Sequence, residues 1–345
     1  MENEQLLAGF DPNGVGNTLG NIFGLPFSLE QAGLVFIPVP WDVTVSNHEG
    51  TCHAPRMIRE QSAQIDLFDP FSPDAWKKGM AMEPIDAELV AVNAVHRQKA
   101  AQYIGYMEKG GKPEASLLMQ EIAGQVNQVC GMMVDRIGEK CLHYANMGQK
   151  TFVVGGDHSV SLGNIRAMAR RYPGFGILQI DAHADLRNKY QGFIHSHASV
   201  MRNAMDLEGL RKVVQVGVRE YCHEEADFMK DQAARLSTWF DRDIHQELYR
   251  GKTWGTICGQ IVDELPEMVY VSFDADGLDP AFFPNTGTPV PGGITYNQAM
   301  YLLEMIINSN RKIIGADLVE TGPSAFDAMM ACRIIYRLAG MMLHS

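Results

Sequence analysis

The sequence predicts an α/β fold built on a doubly wound parallel sheet, and three observations carry that prediction. Short apolar, β-branched runs recur at 34–40 (LVFIPVP), 151–156 (TFVVGG), 175–180 (FGILQI), 213–218 (VVQVGV), 268–273 (MVYVSF) and 312–319 (KIIGADLV). Their apolar residues fall on both parities, as strands covered on both faces require. Helix-patterned stretches separate them, and strand–helix–strand alternation implies right-handed crossovers within one sheet.

The clearest helix covers 114–147, where Leu118, Ile122, Val126, Val129, Met133 and Ile137 step by three or four and Gly148 ends the run. The other helical stretches are 161–172, 223–235, 296–308 and 324–343. Residues 84–111 form a further helical insertion with little strand character around it. It reads as a surface helix, with a lid or an oligomer contact as the alternatives. The N-terminal extension, residues 1–32, carries Gly9, Gly14, Gly16 and Gly20 and is expected to be loop-like, able to wrap a neighbouring subunit. No repeat and no Pro/Ser-rich linker divides the chain, so residues 1–345 are expected to form a single domain.

Composition narrows the function class. The chain has 345 residues, 46% of them hydrophobic, and a net charge of −12 without a Lys/Arg cluster. That pattern suits a globular protein with a sizeable core and gives no footprint for nucleic acid. Six cysteines lie far apart with no CxxC pair, which reads as reduced thiols rather than a disulfide frame. No secretory signal and no long apolar span is present, so no membrane role is expected and the expected compartment is the cytoplasm.

Three strand ends carry unusual charge. The run 151–160 ends in Gly155, Gly156, Asp157 and His158; the run 175–185 ends in Asp181, His183 and Asp185; the run 268–280 places Asp274, Asp276 and Asp279 beyond its last apolar residue. Ligands in open α/β sheets bind beyond the carboxyl ends of the strands. Several carboxylates gathered there would cost several kcal/mol each through desolvation and mutual repulsion. Divalent cations remove that cost. Mixed Asp and His donors favour Mn, Fe, Co, Ni or Zn over Ca and Mg. Alternate residues of an extended segment share a face, so Asp181 and Asp274 are candidates to bridge two ions about 3.5–4 Å apart. Taken singly, each motif also has a plainer reading, as a solvated loop, a capped turn or part of a calcium loop.

The three motifs GGDHSV, DAHADLR and SFDADGLDP resemble, in order, the metal signatures of the ureohydrolase (arginase/agmatinase) family. The loop FFPNTGTPVPGGIT (282–295), the strand GADLVET (315–321) and the segment GTCHAPRMIREQS (50–62) are similar to further family segments, with Ala54 in place of the usual Gly. The resemblance covers roughly residues 33–340. It implies a three-layer α/β/α fold with a central parallel sheet, the arginase-like fold, and two divalent metal ions. Manganese is the expected metal, with nickel or cobalt as alternatives.

Carried over by motif, His158, Asp181, Asp185 and Asp274 would hold one ion and Asp181, His183, Asp274 and Asp276 the other. Two such ions would lower the pKa of a bridging water toward 7, and Asp185 would hold the resulting hydroxide. Glu320 matches the family carboxylate that faces the guanidinium, and His197, in YQGFIHSHASVM, is the candidate proton shuttle, with His195 as a rival. Asp157 and Asp279 are expected to orient a ligand and to shape a loop, and Arg219 to make a structural ion pair.

The implied activity is hydrolysis of a guanidino compound (agmatine-like, a guanidino acid or guanidine) to urea and an amine or ammonia. Asn188 and Gln191 stand where acidic residues are frequent in agmatinases, which weakens attraction for a distal ammonium. Trp41, Asn47 and His48, with Thr288 from the later loop, are the candidate pocket residues; a tryptophan wall would favour a small cation through its ring face. The alternatives are a formimidoylglutamase-type or other amide hydrolase and a non-catalytic metal-binding relative. A homo-oligomer, trimer or hexamer, is expected from the family.

Overall fold

The computed structural model describes residues 6–18 and 20–345; residues 1–5 and 19, part of the expected N-terminal extension, lie outside the described residues. Eight strands form one sheet: β1 (Leu34–Val39), β2 (Met80–Met82), β3 (Lys150–Gly155), β4 (Phe175–Ile180), β5 (Leu210–Val218), β6 (Leu236–Phe240), β7 (Met268–Asp274) and β8 (Lys312–Val319). Their order is β2-β1-β3-β8-β7-β4-β5-β6, and every pairing is parallel. All six runs read from the sequence are among them. The two additions, β2 and β6, are the edge strands. An edge strand has one neighbour and less to bury: β2 is three residues long, and β6 is half-buried along most of its length.

Helices cover both faces. On one side lie α1 (Ala54–Ser62), with α7 (Asp241–Tyr249), α8 (Trp254–Asp263), α9 (Tyr296–Asn308) and α10 (Ala325–His344) later in the chain. On the other lie α2 (Ala87–Glu108), α3 (Leu117–Asn146), α4 (Ser161–Arg171) and α5 (Val200–Met205). Alternate residues of a strand feed alternate cores. Leu34 and Phe36 face α1 and α10, while Val35 and Ile37 face α2 and α3. The expected three-layer α/β/α architecture is therefore the one that forms.

Caps set several helix starts. Thr295 and Gln298 close a reciprocal capping box on α9, Ser324 receives the Asp327 N–H on α10, and Asp86 receives two N–H groups on α2. The stretch expected to be helical over 223–235 gives α6 (His223–Asp231) and then turns into β6. The helix expected within 84–111 is α2, packed along α3. The described part of the extension packs on its own chain, with Phe10 and Trp76 ring centroids 5.4 Å apart and Ile22–Gly24 buried. No helix among the described residues is long and apolar enough to cross a membrane.

Strand order determines where chemistry gathers. The chain places β3 and β4 two strands apart and later inserts β8 and β7 between them. The sheet register pairs Val154 with Leu318, Leu318 with Phe273, and Phe273 with Ile180. The residues that follow on all four strands thus emerge at one level of the sheet edge.

Candidate metal centre and cavity

His158, one turn beyond β3, is the hub of that edge. Its Nδ1 lies 3.1 Å from Asp181 Oδ2, 2.9 Å from Asp185 Oδ2 and 3.2 Å from Asp274 Oδ2. The other ring nitrogen, Nε2, lies 2.9 Å from Ser272 Oγ, within hydrogen-bond reach. Ser272 in turn donates to Asp317, which also receives the Tyr270 hydroxyl at 2.7 Å and the Phe273 N–H at 3.2 Å. With the imidazole proton on Nε2, the Nδ1 lone pair is left facing three carboxylates.

A second group adjoins the first. His183 Nδ1 lies 3.1 Å from Asp276 Oδ2 and 3.6 Å from Asp181 Oδ1. Ligand atoms of His158, Asp181 and Asp185 form one compact set, those of Asp181, His183 and Asp276 another, and Asp181 belongs to both. Backbone turns aim them. Asp274 Oδ1 receives the Asp276 N–H at 2.9 Å, and Asp181 Oδ1 receives the His183 N–H at 2.6 Å. Gly277 makes room, since a Cβ there would sit 2.6 Å from the Asp181 nitrogen.

The electrostatics fit a cation. Burial, with the charges of Asp276 and Asp181, pushes the Asp274 carboxyl well above its ordinary value, and burial with Asp181 pushes Asp185 up to about 7. Burial alone would lower His158, yet Asp181, Asp185 and Asp274 together hold it well above its usual range. Such a cluster is expensive to ionise without positive charge at its centre. Two imidazoles and four carboxylates make a donor set suited to transition ions.

Asp185 and Glu320 both adopt the left-handed backbone region, with φ 55° and 56°. Non-glycine residues held there by their surroundings cluster at functional sites. Glu320 follows β8 and is buried; its Oε1 receives the His158 N–H at 2.9 Å. Burial first, and then the charge of Asp157, raises its carboxyl well above the usual range. Asp157 itself caps the turn by receiving the Ser159 N–H, and Asp279 receives the Ala281 N–H in the following loop.

These groups line a cavity of about 270 Å³. His158, His183, Asp185, Asp274, Asp276, His197, Thr288 and Glu320 all reach it, and Thr288 Oγ1 lies 3.4 Å from Asp276 Oδ2. Asp181 lies fully buried behind this surface. His195 does not reach the cavity; its ring lies against Gly131 on α3.

The pocket residues expected on the loop after β1 need correction. Trp41 is fully buried in the core beside α2 and α3 and forms no wall of the cavity. Its carbonyl presses on Gly156, where a Cβ would come within 1.8 Å. Asn47 and His48 turn aside to the Gly287 carbonyl, at 3.4 and 3.2 Å. Ser46 is the residue of that loop which reaches the cavity. Arg219 also differs from expectation: among the described residues it makes no ion pair and donates to the carbonyls of Gly217, Asp276, Gly277, Leu278 and Val290.

Besides Ser46, the cavity residues that sequence reasoning missed are Arg187, Tyr190, Ala198, Glu220, Tyr221, Cys222 and Glu225. Arg187 and Tyr190 stood within or beside the DAHADLR motif, and only that adjacency could have marked them. Glu220 is joined to His183 by an isolated parallel bridge, a pairing that no local pattern announces.

Comparison with known proteins gives the family and the fold. The model of the Arginase family matches residues 32–340. An agmatinase of Bacillus anthracis is 30% identical over 86% of this chain and 86% of its own length. The N(1)-aminopropylagmatine ureohydrolase of Synechocystis sp. is 26% identical over 91% of this chain and 90% of its own. The crystal structure of the agmatine ureohydrolase of Thermoplasma volcanium, 21% identical, superposes with a TM-score of 0.70 over 98% of this chain and 97% of its own, which shows the same fold. The chain belongs to the arginase family.

Proposed function

We propose that this chain is a hydrolase of carbon–nitrogen bonds in linear amidines that releases urea from a small guanidino compound. The observation that carries the reading is the pair of ligand groups sharing Asp181 in the cavity that also receives Glu320. His158, Asp181, Asp185 and Asp274 would hold one divalent cation, and Asp181, His183, Asp274 and Asp276 a second. When bound, the cations supply positive charge that acidifies water and makes it a nucleophile at neutral pH. Manganese suits the donors, as do nickel and cobalt.

The remaining steps belong to side chains. Glu320 presents a carboxylate to the guanidinium and holds it in a fixed orientation. Thr288 lies beside Asp276 as a neutral hydroxyl partner for a substrate N–H. Burial first, and then His183, His158, Arg97 and Arg187, lower the His197 imidazole to about 3. The ring is therefore neutral at rest, and it is its place on the cavity wall that makes it the candidate to relay a proton to the departing nitrogen.

Urea release from a panel of agmatine, 4-guanidinobutyrate, 3-guanidinopropionate, guanidine and arginine, run on manganese-, nickel- and cobalt-loaded protein, tests the reading. Turnover of at least one member is the expected result. Inactivity on all of them, with ammonia or formamide released from formimidoylglutamate instead, contradicts it.

A further inference from the structure

The loop 42–50, between β1 and α1, brings Ser46 into the wall of the cavity that also receives Glu320. Bonds on two sides hold that loop. Toward the cavity, Asn47 and His48 meet the Gly287 carbonyl at 3.4 and 3.2 Å, and a Cβ on Gly287 would stand 3.6 Å from Glu320 Oε2. Away from the cavity, the bonds come from α2. Asn93, buried, receives the Asp42 N–H at 2.8 Å and donates to Asp42 Oδ1 at 2.9 Å. Asp42 Oδ2 in turn receives the Gly50 N–H at 2.8 Å, which ties the two ends of the loop together. One turn further along α2, Arg97 Nη1 donates to the Val43 carbonyl at 2.8 Å and the Val45 carbonyl at 2.7 Å, just before Ser46.

The loop needs this support. His48 is held at φ 30°, a strained backbone that persists only where the surroundings over-determine it. A second cavity, of about 750 Å³, separates Glu49 and Gly50 from Val90 and Ala94 of α2, so apolar contact does not hold this half of the loop. Glu49 pairs with Arg97 Nε at 3.3 Å, but its side chain is 70% exposed and the pair adds little. The two carbonyl bonds are different. Val43 and Val45 are buried and the Arg97 side chain is 16% exposed, so these charge-assisted bonds are sheltered from water. No residue of α2 lines the cavity that holds Glu320. The helix is therefore no lid over the site, and its influence runs through the loop.

We propose that Arg97 is a positioning residue for substrate binding: with Asn93 it holds the loop 42–50 against Gly287 and so keeps Ser46 in the cavity wall as a hydroxyl partner for the substrate. Without the brace the loop is displaced for part of the time, and apparent affinity falls with the fraction that stays in place. Bound substrate seats the loop again, so the change falls on KM and spares kcat. The proposal rests on the hydrolase reading for what Ser46 meets, and on the bonds of Asn93 and Arg97 for the brace.

Amide hydrogen exchange and steady-state urea release, measured on the metal-loaded full chain, test it with the variants R97M, R97K and S46A. In R97M, exchange at Val45 and Gly50, whose N–H groups are bonded to Asp42, is expected to rise about tenfold or more. KM for each compound of the panel above that is turned over is expected to rise about 10–100-fold, with kcat within about twofold of the wild type. R97K keeps a charged donor and is expected to recover most of both losses. S46A is expected to raise KM about 3–10-fold, and the double variant S46A/R97M to lose less than the product of the single losses, because Arg97 acts through Ser46. R97Q, whose polar head is too short to bond both carbonyls, repeats the measurements should R97M not fold. Wild-type exchange in R97M, a loss confined to kcat, an S46A variant with the wild-type KM, or a double variant that loses the full product overturns the role of Arg97 and leaves the hydrolase reading standing. If no compound of the panel yields urea, the hydrolase reading falls, and exchange at Val45 and Gly50 still decides whether Arg97 braces the loop.

Discussion

His158 and Ser272 are joined at 2.9 Å, Nε2 to Oγ, at the floor of the His/Asp cluster, and Asp317 accepts from the same hydroxyl. The chain His158–Ser272–Asp317 fixes which imidazole nitrogen faces the carboxylates. Ser272→Ala removes the link but leaves Asp317 with the Tyr270 hydroxyl and the Phe273 N–H. Metal affinity is expected to fall about 10–100-fold with the fold retained. Competition with a chelator, read beside a thermal melt, checks both parts.

His197 lines the cavity and rests neutral. It is placed to move a proton, and it is not counted among the ligands. His197→Asn is expected to lower kcat by about 10²–10⁴-fold. Metal content is expected to stay at the wild-type level, which elemental analysis of the purified variant measures. A loss of metal equal to the loss of rate would instead make His197 a structural support.

Gly156 and the Trp41 carbonyl lie too close for any side chain at position 156, where a Cβ would stand 1.8 Å from the oxygen. The obstacle is backbone, which has no rotamer to relieve the clash. Gly156→Ala is expected to destabilise the protein by about 3 kcal/mol or more, and urea unfolding reads the change.

Lys150 opens β3 with its ammonium largely enclosed, donating to the Ile313 carbonyl at 2.8 Å. Burial, aided by Lys312 and Lys78, lowers it to about 8, from an ordinary value of 10.5. Between those values the unfolded chain binds more protons than the folded one, so stability rises with pH across the window. The burden of the charged amine is fullest below pH 8. Lys150→Met is expected to stabilise the protein by about 1–2 kcal/mol below pH 8 after the lost hydrogen bond is counted, with the gain fading toward pH 10.5. Melting curves at pH 7 and pH 10 give the sign.

Much of this was legible because the groups sit in short, contiguous motifs. Six interior strands announced themselves as apolar runs, and the His and Asp side chains crowded at their ends stood out against that background. The edges were harder. Met80–Met82 has no β-branched residue and Leu236–Phe240 is half-exposed, so neither carries the pattern of a buried strand. Trp41 shows the limit of placing a residue by proximity in sequence. It stands one turn from the cavity, but which side of the sheet edge an aromatic ring enters depends on its fit against α2 and α3. Asp317 was hidden for the opposite reason, as one acid inside an apolar strand whose partners, Ser272 and Tyr270, come from another strand. Arg187 was visible as a residue and silent as a charge, because only the fold brings the buried Glu225 to 3.9 Å from its Nε.

Asp181 belongs to both ligand groups, and a count of bound metal shows whether they hold two cations. The purified protein, loaded with manganese and freed of excess ion, should hold two ions per chain by elemental analysis. Asp181→Ala should lower that count to one or none. Wild-type protein that holds no more than one ion at saturation, or an Asp181→Ala variant that still holds two, would contradict the account.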